Sequence, residues 1–191
     1  MVQSNETPTE EKKERVGLII VNTGKGKGKT TAALGLALRA VGQGFKVLMV
    51  QFIKGTWHYG ELDSVKKLNP NFTIMPMGAG FTNMGAREHK EPDPKDVRAS
   101  ANAWNFAKEK IASREYDMII LDEINNSIDY GLIPVDEVIE TLKEKPKRLH
   151  LVLTGRNAHP KIIELADLVT EMKAIKHPYQ KGVKAQRGVE F

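Results

Sequence analysis

Val16-Gly-Leu-Ile-Ile-Val-Asn-Thr-Gly-Lys-Gly-Lys-Gly-Lys-Thr-Thr31 joins a short apolar run to a glycine-rich loop and then to an Ala- and Leu-rich stretch. Val16–Val21 reads as a buried strand, and Lys29–Val41 as a helix stopped by Gly42 and Gly44. Glycines let a loop turn its N–H groups inward and keep any Cβ out of the way of an approaching anion. A helix that starts at the loop aims its positive end at the same point. Gly24, Lys25, Gly26, Lys27, Gly28, Lys29, Thr30 and Thr31 are therefore the candidate nucleotide-phosphate site. Lys29 can reach phosphate oxygens, and the Thr30 hydroxyl suits Mg²⁺. The strict motif G-x-x-x-x-G-K-[ST] is not met, because Thr23 stands at its first glycine. A plain surface turn would not fall between a buried strand and an Ala-rich helix.

Further along, apolar runs at Val47–Val50, Phe72–Met75, Met118–Leu121, Leu149–Leu153 and Leu168–Met172 read as strands buried on both faces. Helical patterns lie between them. One starts at Asp93-Pro94 with a stripe of Val97, Ala101, Trp104, Ala107 and Ile111. Pro134 starts another, with Val135, Val138, Ile139 and Leu142 on one face, and Pro160 a short one through Ile162, Ile163 and Leu165. The alternation predicts an α/β fold, a mainly parallel sheet of about six strands covered on both sides. Right-handed crossovers put every strand's C-terminal end on one rim. Thr23–Thr31, Gln51–Trp57, Met77–Asn83, Asp122-Glu123 and Thr154–Asn157 all leave that rim, which marks a ligand crevice.

The chain has 191 residues, 40% hydrophobic and 28% charged, in the range of a globular domain. Residues 1–14 read as a flexible polar tail, and 15–191 as one nucleotide-binding domain. With no cysteine, thiolate chemistry and disulfides are excluded. No apolar run reaches the roughly 20 residues that span a bilayer, and the N-terminus lacks a secretory signal, so a cytoplasmic protein without a membrane partner is expected. Net charge is +5 without interleaved aromatics, which favours a small anionic substrate over nucleic acid. The five histidines show no metal-ligand spacing. Trp104 is expected in the core, and the basic stretch Lys173–Arg187 is either a solvated tail, a flap over the substrate or a dimer contact.

Met118-Ile-Ile-Leu-Asp-Glu123 supplies the companion signal, a buried strand ending in two carboxylates. One could hold Mg²⁺ and the other orient a ligand. The guanine-reading string Asn-Lys-x-Asp is absent. Gly24–Ala33, Ala40-Val-Gly-Gln-Gly44, Gln51-Phe-Ile-Lys-Gly-Thr-Trp57, Gly80-Phe-Thr82, Leu121-Asp-Glu123, Thr154-Gly-Arg156, Ala166-Asp167, Val169-Thr-Glu171 and Lys184-Ala-Gln186 occur in that order. Together they closely resemble the P-loop-type ATP:corrinoid adenosyltransferases of cobalamin biosynthesis and salvage, across Val16 to Phe191.

The resemblance implies a RecA-like, three-layer P-loop NTPase fold and transfer of the 5′-deoxyadenosyl group of ATP to the Co(I) of a reduced corrinoid, with release of triphosphate. It implies ATP lying reversed in the loop, a Mg²⁺ requirement, a homodimer and a flavoprotein as candidate reductant. Carried over by residue, it places Thr30 and Glu123 beside Mg²⁺, Arg156 and Arg39 at phosphates, and Phe81 against the lower face of the corrinoid. Lys29 becomes the candidate catalytic residue, since cobalt is the nucleophile and what remains for the protein is to stabilise the leaving triphosphate. Asn83 stands where well-studied relatives carry a Trp that keeps the lower axial ligand off cobalt. Two alternatives share the loop: a RecA-like ATPase acting on nucleic acid or protein, which yields ADP, and a corrinoid carrier without chemistry.

Overall fold

The computed structural model describes residues 15–55, 57–80 and 92–191. The tail expected over residues 1–14, and the expectations at Phe81 and Asn83, lie outside the described residues. Among the described residues six parallel strands form one sheet: β1 (Ile19–Thr23), β2 (Val47–Gln51), β3 (Phe72–Pro76), β4 (Met118–Asp122), β5 (His150–Thr154) and β6 (Leu168–Glu171). Their order across the sheet is β3-β2-β4-β5-β1-β6, so β5 separates the glycine loop's strand from the Asp122 strand. The α/β architecture read from the alternating pattern is the one observed.

Strand alternation sends neighbouring side chains to opposite faces, and each face has its own core. Ile20, Val47, Met49, Phe72, Met118, Ile120 and Val152 pack with Ala33, Ala37 and Ala40 of α1 (Lys29–Gly42). Small alanines let this helix lie close against the sheet. Leu62 and Val65 of α2 (Gly60–Lys66) join the same face. The other face, with Val21, Leu48, Val50, Ile119, Leu121 and Leu153, is covered by α3 (Pro94–Ser113), α4 (Ile124–Asp129), α5 (Val135–Lys143) and α6 (Pro160–Leu165).

Helix α3 starts where Asp93 accepts a hydrogen bond from Lys95 N–H (2.8 Å) and Pro94 enters the first turn. Its buried stripe differs from the expected one. Val97 and Ala101 are exposed, and Asp96, Ser100, Ala103, Trp104, Ala107 and Ile111 face inward. Both stripes obey helical spacing and share the last three positions. The polar pair at the start takes the inner side, so an apolar count misjudges the phase. Trp104 is core as expected, its indole N–H donating to Glu137 (3.2 Å).

Strand β6 departs from the expectation of burial on both faces. All four residues are exposed at this edge of the sheet, whereas β3 at the other edge still buries Phe72 and Ile74. Helices α2 and α4 are not expected from periodicity, each being shorter than the window in which a period can be recognised.

Candidate nucleotide and corrinoid site

The chain leaves β2 toward β3 on one side and leaves β4 toward β5 on the other. Diverging exits open a crevice at the carboxyl ends of these strands. A cavity of about 950 Å³ occupies it. Its walls include Lys25 to Thr31, Lys54, Glu61, Glu123 and Arg156, with Gly188 to Phe191 along another side.

Gly28 precedes α1 with φ 114°, a left-handed conformation that glycine adopts without strain. Gly24 and Gly26 answer a second constraint, unrelated to phosphate access. A Cβ on either would sit 2.6 Å from the carbonyl oxygen of Met172, just beyond β6. Gly26 N–H donates to that same oxygen at 2.6 Å, so the loop rests on the chain leaving β6. Thr23, the departure from the strict motif, is also used locally. Its hydroxyl accepts from Ala158 N–H (3.1 Å) and fastens the loop's start to the exit of β5.

Lys29 is buried, with its ammonium donating to Gly24 O (2.8 Å) and Gly26 O (2.7 Å). Burial holds its pKa below the usual lysine value, with Glu123 and Asp122 pulling it back up and Arg156 adding to the fall. An anion entering the loop offers this cation a stronger partner than two carbonyls.

Thr30 meets Asp122, not Glu123. Its hydroxyl donates to Asp122 Oδ1 at 2.9 Å, and Thr154 donates to the same oxygen at 2.8 Å. Gln51 approaches the other carboxylate oxygen (3.3 Å), and Lys54 Nζ lies 4.0 Å from it. Asp122 is thus a fully buried carboxylate gripped from α1, β5 and β2. Glu123 lines the cavity, with φ 65° and its N–H donating to Thr154 Oγ1 (2.9 Å). Burial pushes its carboxyl up to about 7, and neighbouring Asp122 adds to the rise against Lys29, Lys54 and Arg156. A sequence ending a strand in Asp-Glu cannot tell which of the two faces the loop; the left-handed turn at Glu123 decides it.

Arg156 reaches the cavity on a turn fixed by Arg156 N–H donating to Asn126 Oδ1 (2.7 Å). Arg39 is not brought there. It is exposed in the last turn of α1, and at about 1.5 Å per residue it lies roughly 15 Å along the helix from Lys29. Gln51–Trp57 stands out in the sequence, but nothing there assigns Lys54 a role. Lys54 pairs with Glu61 (2.7 Å) and lies 4.5 Å from the Tyr59 ring centroid, on the wall opposite the loop. Gly78 N–H and Gly80 N–H donate to Lys54 O (3.0 Å) and Ile53 O (3.1 Å), lacing the exits of β2 and β3 together up to residue 80. Trp57 is 65% exposed, so it packs no core.

Among the described residues no cluster of three or more His, Asp or Glu is set to hold a metal. Mg²⁺ needs less than that, taking one or two protein oxygens and filling its shell with phosphate and water. The Thr30 hydroxyl and Asp122 carboxylate, 2.9 Å apart beside the loop, are hard oxygens of the right kind, so the site fits the ion.

Comparison with solved structures bears on the fold alone. The flagellar accessory protein FlaH of Methanocaldococcus jannaschii aligns with TM-score 0.53 at 17% identity, over 82% of this chain and 71% of that one. A KaiC-like protein of Pyrococcus horikoshii aligns with TM-score 0.51 at 16% identity, over 84% and 74%. Sequence relatives are nearer. A corrinoid adenosyltransferase of Sinorhizobium is 47% identical over 97% of this chain and 83% of its own length. Those of Escherichia coli K12 and Salmonella typhimurium are 43% and 42% identical, over 92% and 93% of this chain and 86% and 87% of theirs. The family described as ATP:corrinoid adenosyltransferase BtuR/CobO/CobP matches residues 15–191, and the chain belongs to that family.

Proposed function

We propose that the loop-lined cavity is where this chain holds ATP while its 5′-deoxyadenosyl group passes to the Co(I) of a reduced corrinoid. The observation that carries this assignment is the convergence of Lys29, the glycine loop and Thr30, backed by buried Asp122, on one cavity large enough for a nucleotide. Cobalt contributes the electron pair for the new Co–C bond, the C5′–O bond breaks, and that pair departs on triphosphate. Lys29 and the loop N–H groups other than that of Gly26, which Met172 O holds, would stabilise the departing oxygens, and Arg156 lines the cavity from the exit of β5. Thr30 and Asp122 would hold Mg²⁺, with Glu123 beside them, and the ion would neutralise charge on the phosphates. No protein base is needed, since no proton moves in this step. His177, the histidine at the cavity wall, spends Nδ1 accepting from Tyr179 N–H (3.2 Å).

Phe81 and Asn83 are proposed for the corrinoid face. Support comes from Gly80, whose N–H donates to the carbonyl of Ile53, a residue of the cavity wall at the exit of β2. A homodimer is supported by edge strand β6, which is exposed among the described residues, Leu168 by 50%. The proposal places the reaction in the cytoplasm and takes a flavoprotein as reductant. No helix among the described residues is long and apolar enough to cross a membrane.

Anaerobic incubation with ATP, Mg²⁺ and chemically reduced corrinoid tests the proposal. Triphosphate and a light-sensitive Co–C product are expected in equal amounts. ADP as the main product would overturn it in favour of an ordinary ATPase, and tight corrinoid binding without turnover from supplied Co(I) would leave a carrier.

A further inference from the structure

The loop carries three lysines, and the structure gives two of them opposite company. Lys29 turns inward onto the loop's own carbonyls. Lys27 turns outward: its ammonium donates to Val189 O (2.9 Å) and pairs with the Glu190 carboxylate. This partner belongs to a built turn. Gly188 N–H donates to Phe191 O (2.7 Å), and the N–H groups of Val189 and Glu190 both donate to Gln186 O (3.2 and 2.8 Å). Gly188, Val189, Glu190 and Phe191 line the nucleotide cavity, so the turn is one of its walls. The opposite side of the loop is held where Gly26 N–H meets Met172 O. The glycine loop is therefore clasped from two directions by the chain beyond β6.

A lone carboxylate on this wall would repel triphosphate, and a lone Lys27 would compete with Lys29 for it. Paired, the two charges cancel, and the wall closes without opposing the ligand. We infer that Glu190 is a positioning residue: by latching Lys27 it seats the turn over the nucleotide cavity, fixes the outer edge of the glycine loop and leaves Lys29 as the lysine that grips phosphate. Lys27, expected from sequence to touch phosphate, becomes a tether. The inference rests on the loop being the triphosphate site, and it adds a wall that motif reading does not contain.

The test is a double-mutant cycle on Lys27→Ala and Glu190→Ala, with Mg·ATP binding measured by calorimetry without corrinoid and KM and kcat measured with it. Both side chains are partly exposed, 40% and 25%, which caps a pair of this kind at about a fivefold effect. Each single variant is expected to weaken ATP binding by about that factor, the double variant no more than either alone, and kcat to stay within about threefold. Glu190→Asp and the exchanged pair Lys27→Glu with Glu190→Lys should recover most of the loss. Tighter ATP binding by Glu190→Ala would overturn the latch, because it would mean that the carboxylate competes with phosphate. Additive losses, or a loss confined to Lys27→Ala, would overturn it by returning Lys27 to the phosphates. Failure of the unaltered protein to bind Mg·ATP would sink the site assignment itself; normal binding with indifferent variants would sink the latch alone.

Discussion

Replacing Gly26 with alanine separates the loop's packing from its conformational freedom. Gly24 and Gly28 hold φ of 95° and 114°, so a side chain there adds backbone strain to any clash. Gly26 does not share that positive φ, so only the contact counts. Its new Cβ would lie 2.6 Å from Met172 O, where ordinary contact begins at 3.4 Å. Loop and β6 exit must part by about 0.8 Å, which stretches the 2.6 Å Gly26–Met172 hydrogen bond to about 3.4 Å, past the range in which it is effective. Overpacking of this kind costs about 1–3 kcal/mol and a lost backbone bond about 1, so unfolding in urea should come about 2–4 kcal/mol cheaper. If the loop amides act as proposed, displacing them by nearly 1 Å should cost about 100-fold in turnover, read as triphosphate release from ATP with pre-reduced corrinoid. Gly35→Ala is the control. It lies exposed in α1 with nothing within 4 Å of its Cβ, and should stabilise by about 1 kcal/mol at full activity. Wild-type stability and turnover in Gly26→Ala would refute the claim that the loop is wedged against β6.

Other perturbations probe separate parts of the site. Lys29→Ala should lower kcat by about 100-fold or more while circular dichroism and melting stay close to wild type, with Arg39→Ala near wild type in both. Thr30→Ala should raise the Mg²⁺ concentration for half-maximal activity by about tenfold or more, and Thr30→Ser should restore it, because the hydroxyl on Asp122 is the feature removed. At the far rim, burial holds the His150 pKa below the usual histidine value, with Arg15 and Lys145 adding to the fall, and its Nδ1 accepts from Leu18 N–H (3.1 Å). A lowered folded pKa gives stability that is present above the unfolded value and lost as pH falls through the folded one. Urea stability should therefore drop between about pH 7 and 5, and His150→Gln should flatten that slope.

The layers were legible because buried parallel strands are apolar throughout and their helices alternate with them; β1 to β5 differ from the expected runs only at their ends. The edge was not. Leu168 and Val169 look like core residues in sequence, and only the structure shows them exposed, on the last strand of the sheet among the described residues. The stripe of α3 failed for a related reason: Asp96 and Ser100 point inward, and an inward polar pair is invisible to hydropathy. At the site, glycine spacing located the loop but hid why Gly24 and Gly26 are glycines, because Met172 is far away in sequence. The same distance hid the partner of Lys27. Resemblance alone puts Arg39 at the phosphates, although the length of α1 carries it away.

Asp122 shows what such a site asks of its scaffold. A fully buried carboxylate is costly unless its oxygens are satisfied, and here Thr30, Thr154 and Gln51 satisfy them from α1, β5 and β2. That makes the carboxylate a rivet joining the glycine loop's helix to the sheet before any ligand arrives. Preorganisation of this kind matters most when the nucleophile belongs to the substrate. The protein then has no bond to make, and its leverage lies in groups that need not move as charge grows on triphosphate. Lys29 is anchored to carbonyls it can exchange for phosphate, and Thr30 stands on the rivet. The loop lies on Met172, where a single added carbon does not fit. The tight packing of the glycines and the electrostatics of the reaction are thus one requirement. A loop free to breathe would spread its N–H dipoles over several positions, and the leaving oxygen would meet their average instead of their sum.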